Sequence, residues 1–304
     1  MQKIIPHLWF DTQAKEAAKF YCAVFPNSKL LDSIVLHDTP SGDCDLVTFT
    51  ISGHDFMVIS AGPYFKINPS VSFLLNFDPS QDEQAEEHLR ALWDKLFDGG
   101  KALMPLQQYP FSKLYGWVED KYGVSWQVML TDPTGEPRPF ITPSLMFTGE
   151  NTNKTEEAVQ FYLSVFKNAK QGTIAHYPQD TGPAKEGSIM FTDFTLENQW
   201  FSAMDSGVSQ SFGFNEAISL LINCDTQEEI DYYWRKLSAV PESEQCGWLK
   251  DKYGVSWQVS PTILNKMLGE GTPEQIARVT QTFLKMKKFN IAEIEAAYNG
   301  PNLT

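Results

Sequence analysis

The chain of 304 residues carries a net charge of −14, with 42% hydrophobic and 20% charged side chains. That length predicts two domains of ordinary size, and the apolar content supports packed cores and excludes a disordered or collagen-like chain. The negative field repels phosphate backbones and anionic headgroups, so neither nucleic acid nor a membrane is an expected partner.

From Met1 the chain runs directly into Ile4-Ile5-Pro6, without a signal-peptide layout, and no apolar stretch reaches the roughly 20 residues of a spanning helix, so a cytoplasmic location is expected. Residues 4–10 form a short apolar run that reads as a buried strand. Residues 13–25 space Ala14, Ala17, Ala18, Tyr21 and Val24 or Phe25 at helical intervals and stop before Pro26. Strand patterns at 30–37, 46–52 and 56–60 follow, the last two joined by a turn over 52–55, and complete a βαβββ module. A second module opens with a strand over 71–77 and a helix predicted to start from a capping box, Ser80-Gln-Asp-Glu83, with Leu89, Trp93 and Leu96 on its buried stripe. Strands near 101–107, 113–119 and 124–130 close it.

The segment 131–143, TDPTGEPRPFITP, has four prolines and one glycine and can continue neither a helix nor a central strand. Beyond it the plan recurs, with helices over 154–166 and 226–238, the second opened by Thr226 to Glu229. Only nine residues (238–246) then precede a Gly-Trp pair, against nineteen (97–115) in the first half, so the second half is expected to lack an edge strand. Two helices are predicted in the tail. Thr272-Pro273-Glu274-Gln275 joins a capping box to proline at the first helical position, with Ile276, Val279, Phe283 and Met286 as its stripe. Asn290 with Glu293 opens the other, stapled by Phe289 and Ile294 and ended by Gly300-Pro301.

A duplication organises these elements. Asp120-Lys-Tyr-Gly-Val-Ser-Trp-Gln-Val128 recurs letter for letter as Asp251 to Val259, each copy preceded by Gly-Trp (Gly116-Trp117 and Gly247-Trp248). Phe20-Tyr21 with Val24-Phe25 answers Phe161-Tyr162 with Val165-Phe166, and Ser72 to Asp78 answers Ser219 to Asp225. The expected domains are 1–138 and 139–265, followed by a helical extension over 266–304, in the α+β class. Cys22, Cys44, Cys224 and Cys246 form no CxxC and are expected to stay reduced.

Two βαβββ modules per half, with Phe-Tyr and Val-Phe ending the first helix and Asp-x-x-Gly-x-x-Trp-Gln entering the last strand, resemble the vicinal oxygen chelate superfamily of glyoxalase and bleomycin-resistance proteins. More narrowly the chain is similar to the PhnB-like family, often labelled 3-demethylubiquinone-9 3-methyltransferase, and its tail is similar to that of members. The resemblance implies tandem glyoxalase-like domains, each a curled mixed sheet of eight strands around a cleft. It also implies paired domains, within one chain or in a homodimer.

In metal-using relatives, His and Glu from facing strands hold a divalent cation. The position of the relatives' Glu falls on Gln127 and Gln258, the position opening the second module falls near Ser72 and Ser219, and the first strand offers His7 in one half but Ser144 in the other. These groups lack the charge and ligand count of a catalytic metal site, so no metal and no cofactor are expected. Alternation along the repeated strand points Ser125 and Gln127, with Ser256 and Gln258, into the clefts. With Ser72, Ser219, Phe10, Trp117 and Trp248 they form the candidate ligand-binding set; the alternatives are hydrogen bonding across the sheet for the polar groups and core packing for the aromatics. His37 and His176 read as solvated strand ends. Cys22 and Cys246 align with Leu163 and Tyr115, which argues against a duplicated thiol nucleophile, and no catalytic residue is identified. No glycine-rich loop opens a helix after a strand, so S-adenosylmethionine is not an expected ligand.

The leading expectation is a metal-free binder of a small apolar or aromatic molecule. The rival is a vicinal oxygen chelate enzyme, a lyase, dioxygenase or thiol transferase with a noncanonical metal site. In a third reading the second half is only a structural partner, and Gln127 but not Gln258 carries binding.

Overall fold

The structure, a computed structural model, describes residues 2–300. The short apolar runs become strands and the helical spacings helices. The first module is β1 (Ile4–Phe10), α1 (Ala14–Val24), β2 (Lys29–Thr39), β3 (Gly42–Ile51) and β4 (His54–Ser60). The second is β5 (Val71–Phe77), α2 (Ala85–Phe97), β6 (Lys101–Tyr109), β7 (Ser112–Glu119) and β8 (Ser125–Leu130). The third is β9 (Ile141–Phe147), α3 (Thr155–Val165), β10 (Lys170–His176), β11 (Ile189–Leu196) and β12 (Gln199–Asp205). The fourth is β13 (Ile218–Cys224), α4 (Gln227–Leu237), β14 (Trp248–Lys250) and β15 (Ser256–Pro261), and α5 (Thr262–Glu270), α6 (Pro273–Phe283) and α7 (Ile291–Asn299) follow.

The strands form two mixed sheets, each taking one module from each half of the repeat. The order in one is β14-β15-β13-β1-β4-β3-β2, and in the other β10-β11-β12-β9-β5-β8-β7-β6. The modules join through their first strands: β1 runs antiparallel to β13 with His7 opposite Ser219, and β5 antiparallel to β9 with Ser72 opposite Ser144. The compact units follow the sheets: among the described residues one holds 2–23, 27–66 and 215–300, the other 24–26 and 67–214. The repeat thus defines what was duplicated, and strand pairing defines what packs together.

The nine-residue repeat is a turn device. Asp120 Oδ1 accepts from the backbone N–H of Tyr122 at 2.8 Å and of Val124 at 3.1 Å, and Oδ2 accepts from Trp126 Nε1 at 2.8 Å. Asp251 repeats all three bonds with Tyr253, Val255 and Trp257 at 2.9, 3.1 and 2.9 Å. Gly123 and Gly254 sit at φ +86° and +84° in these turns, which glycine adopts without steric cost. Both indoles are fully buried, so the motif fixes a turn to the core.

Three expectations need amendment. The Ser80 box does not open α2: Asp78 accepts from Ser80 N and Asp82 from Gln84 N in successive turns, and the helix starts at Ala85 with no side-chain cap. At α4, Thr226 caps Glu229 N, but the Glu229 carboxylate accepts from Asp225 N and pairs with Lys3 instead of closing a box. The tail has three helices, α5 following directly on β15. The box at Thr272 and Gln275 is complete, Asn290 caps α7, and Phe289 and Ile294 are buried. Pro301 lies outside the described residues.

Among the described residues no strand stands between α4 and β14, as the short spacer predicts. The tail takes that edge: Cys246 N donates to Met286 O at 2.8 Å and Gly247 N to Lys287 O at 2.7 Å. The four cysteines are free. No described helix is long and apolar enough to cross a membrane.

Candidate functional site

Alternation along β1 sends Ile5, His7 and Trp9 to the inner face of the first compact unit and Phe10 to the opposite face. On that inner face lies a cavity of about 430 Å³. Its floor includes His7, Met57, Leu221 and Gln258, from four adjacent strands. Trp9, Phe65 and Trp248 form an aromatic wall: Trp9 meets Phe65 edge-on at 5.2 Å and Trp248 at 6.0 Å, and Trp248 meets His7 at 5.4 Å. The indole N–H of Trp9 is bound to Gly62 O at 2.8 Å, which fixes its ring. Leu264 and Leu268 of α5, with Phe283 and Phe289 of the tail, close the cavity further.

Two polar groups mark the floor. His7 is 3% exposed, and burial pushes its pKa down to about 3, so the imidazole is neutral across the physiological range. Its Nδ1 has no hydrogen-bond partner among the described residues; such an atom costs about 1–3 kcal/mol when left buried and unpaired. Gln258 donates through Nε2 to Ser219 Oγ at 2.9 Å. Ser219 is the strand partner of His7, so the imidazole and the amide flank one serine. Cys44 and Cys246 also line the cavity. Burial raises the pKa of Cys246, which keeps it a thiol and a weak nucleophile.

Of the nine residues singled out from sequence, Gln258 and Trp248 line this cavity and Ser219 lies against Gln258. Ser256 is buried in the same strand with its hydroxyl unpartnered, and does not line the cavity. The cavity takes Trp9, where the sequence reading had placed Phe10. The other four belong to the second compact unit. There Gln127 Nε2 donates to Ser72 Oγ at 2.8 Å, and its Oε1 accepts from the Tyr115 hydroxyl at 2.7 Å. Trp117 packs with Leu74, Tyr115 and Met146 in an apolar cluster, and Ser125 is buried with an unpaired hydroxyl. Burial pushes the Tyr115 phenol up, so it stays protonated. A smaller pocket of about 240 Å³ remains in that unit. Within it Arg138 Nε donates to Asp193 at 2.8 Å while the guanidinium stacks 3.9 Å over Trp200. The reading that gave binding to Gln127 and not to Gln258 meets the reverse geometry: Gln127 has its partners within the chain, and Gln258 faces open volume.

Sequence reasoning missed Trp9, Cys44 and the residues of α5 and the tail, and weighed His7 only as a metal ligand. Alternation along β1 was the available signal, since it pairs His7 with Trp9. The divalent cation implied for metal-using relatives does not fit this floor. It offers one imidazole, one carboxamide, one thioether and a neighbouring hydroxyl; the carboxylates of the wider lining are Glu216, paired with Lys250 at 2.8 Å, and Glu242. Among the described residues no group of three or more His, Cys, Asp or Glu side chains could hold a metal ion.

Comparison with solved structures places the fold. Glyoxalase I from Zea mays is 10% identical and matches over 89% of this chain and 97% of its own, with a TM-score of 0.53. A putative dioxygenase from Bacillus subtilis is 11% identical, with 96% and 94% coverage and a TM-score of 0.50. A putative 3-demethylubiquinone-9 3-methyltransferase, PhnB protein, from Bacillus cereus is 35% identical over 43% of this chain and 100% of its own, with a TM-score of 0.38. No curated protein matches the chain. Residues 2–129 and again 139–260 match the family described as 3-demethylubiquinone-9 3-methyltransferase, and the chain therefore belongs to that family, with a glyoxalase-like fold and two matched segments in tandem.

Proposed function

We propose that this protein binds a small, uncharged apolar or aromatic molecule in the cavity of its first compact unit, without a metal ion and without methyl transfer. The observation that carries this reading is the cavity itself: about 430 Å³ of mostly apolar lining, with a neutral buried imidazole and one amide as its polar floor. That volume is within the range of roughly 300–1,000 Å³ typical of small-molecule sites, as is the pattern of a few polar groups in an apolar wall. The floor groups are neutral, the described lining holds no Lys or Arg, and Glu216 is already paired with Lys250 at 2.8 Å, which favours an uncharged ligand because a buried charge without a counter-charge is costly. Against methyl transfer stand the two mixed sheets of βαβββ modules, which lack the singly alternating strands and helices of a doubly wound cofactor fold.

Native mass spectrometry of protein purified without chelator tests the reading. We expect a co-purifying neutral organic molecule at up to one per chain, lost from a Leu221→Trp variant that fills the floor. About one equivalent of tightly held metal would instead favour the enzyme reading, and specific stabilisation by S-adenosylmethionine in a thermal-shift titration would restore methyl transfer.

A further inference from the structure

The repeat supplies a comparison within the chain itself. In the second compact unit Tyr115 packs against Leu74, Trp117 and Met146, 5% exposed, and donates its hydroxyl to Gln127 Oε1 at 2.7 Å. Gln258 is the same amide in the other copy, bound through Nε2 to Ser219 as Gln127 is to Ser72. Here, however, the position of Tyr115 is Cys246, and the strand does not reach so far. β14 begins at Trp248, and Cys246 and Gly247 stand just before it in left-handed backbone at φ +52° and +81°. Among the described residues no tyrosine hydroxyl donates to Gln258. It is 8% exposed, lines the cavity, and receives no hydrogen bond at Oε1 among the described residues.

We propose, building on the reading of this cavity as a ligand site, that the ligand class is a neutral phenol whose ring lies against Trp9, Phe65 and Trp248 and whose hydroxyl donates to Gln258 Oε1. Tyr115 is the internal precedent: the same fold, the same amide and the same serine below it accept a phenol from the chain in one copy and from solution in the other. Among the described lining residues there is no Lys or Arg, while Glu216 and Glu242 are present, so an anionic ring finds no counter-charge.

Calorimetric titration of the full chain with 4-methylphenol, toluene and 4-methylbenzoate tests this. We expect 4-methylphenol to bind at one site, roughly three- to tenfold tighter than toluene, the value of one hydrogen bond, and 4-methylbenzoate not to bind. Gln258→Leu should bring 4-methylphenol to the affinity of toluene without weakening toluene. Tyr115→Ala should add a second 4-methylphenol site over Gln127, raising the stoichiometry from one to two, and this variant carries the test should Gln258→Leu fail to fold. Equal affinity for 4-methylphenol and toluene overturns the phenol assignment and leaves the cavity reading standing. Binding of neither compound overturns both, and a Tyr115→Ala stoichiometry that stays at one counts against the internal precedent.

Discussion

His7 is the side chain whose state is most strongly set by its surroundings. Desolvation in the floor of the sheet lowers its pKa from the ordinary 6.5 to about 3. Between those values the unfolded chain binds a proton that the folded chain refuses, so the histidine adds no proton-linked penalty to folding above about pH 6.5 and an increasing one as the pH falls toward 3. Replacing it with a group that does not titrate should remove that slope. We expect the unfolding free energy of the parent protein to fall relative to His7→Asn by roughly 3 kcal/mol between pH 6.5 and pH 4, at about 1.4 kcal/mol per pH unit. Urea unfolding of both proteins at several pH values measures it, and parallel pH curves would mean that the imidazole is hydrated or paired in the fold. At this scale the sequence was legible where spacing alone decides orientation: Gln258 and Trp248 face the cavity because strand alternation puts them there. It was illegible where the decision is tertiary. The nine-residue identity around Gln127 and Gln258 gives two identical amides, yet only the position now held by Tyr115 or Cys246, outside the repeat, decides which of them faces open volume.

At the level of elements, the sequence pattern exposed the loss of an edge strand in the fourth module but not its replacement. Nine residues between α4 and the Gly-Trp pair are too few for a strand like β6. The replacement comes from the tail, more than thirty residues downstream, through backbone bonds that no side-chain pattern announces. The α5 helix was hidden for a similar reason: TILNKMLGE follows a strand ending in Pro261 and has no capping box at its start. Gly247 is where the tail meets β14. A Cβ there would lie 2.6 Å from Phe289 Cε2 and 3.0 Å from Val259 O, at a φ of +81° that alanine adopts only under strain. Gly247→Ala should therefore destabilise the protein by about 1–3 kcal/mol. Phe289→Ala, which removes a buried ring from the cavity wall, should cost about 3–5 kcal/mol. In the Phe289→Ala background the glycine substitution should cost less, because the ring clash is gone and the backbone strain remains. A double-mutant cycle by denaturant unfolding reads that coupling, and strict additivity would mean that the tail does not press on the strand edge.

For the molecule as a whole, the partition into two sheets determines which fragments can fold. A cut in the exposed segment near Thr134 separates the two halves of the repeat without breaking a strand. The N-terminal fragment then keeps β1 without β13 and β5 without β9; the C-terminal fragment keeps the complementary strands. Each fragment leaves two first strands with unpaired backbone groups and uncovered apolar side chains, a condition that drives edge-to-edge association. The central strands β1, β5, β9 and β13 are buried almost throughout, so neither fragment can leave them in water. We expect the fragments expressed singly to self-associate, pairing β1 with the β5 of another copy in imitation of the sheets. Co-expressed, they should purify as a one-to-one complex with the far-ultraviolet circular dichroism of the intact chain and its binding of 4-methylphenol. The alternative, in which each half closes its own sheet, predicts two monomeric fragments that fold alone and gain nothing from mixing. Size-exclusion chromatography of the separate and mixed fragments distinguishes them, because only the shared-sheet arrangement makes the second fragment a requirement for the first.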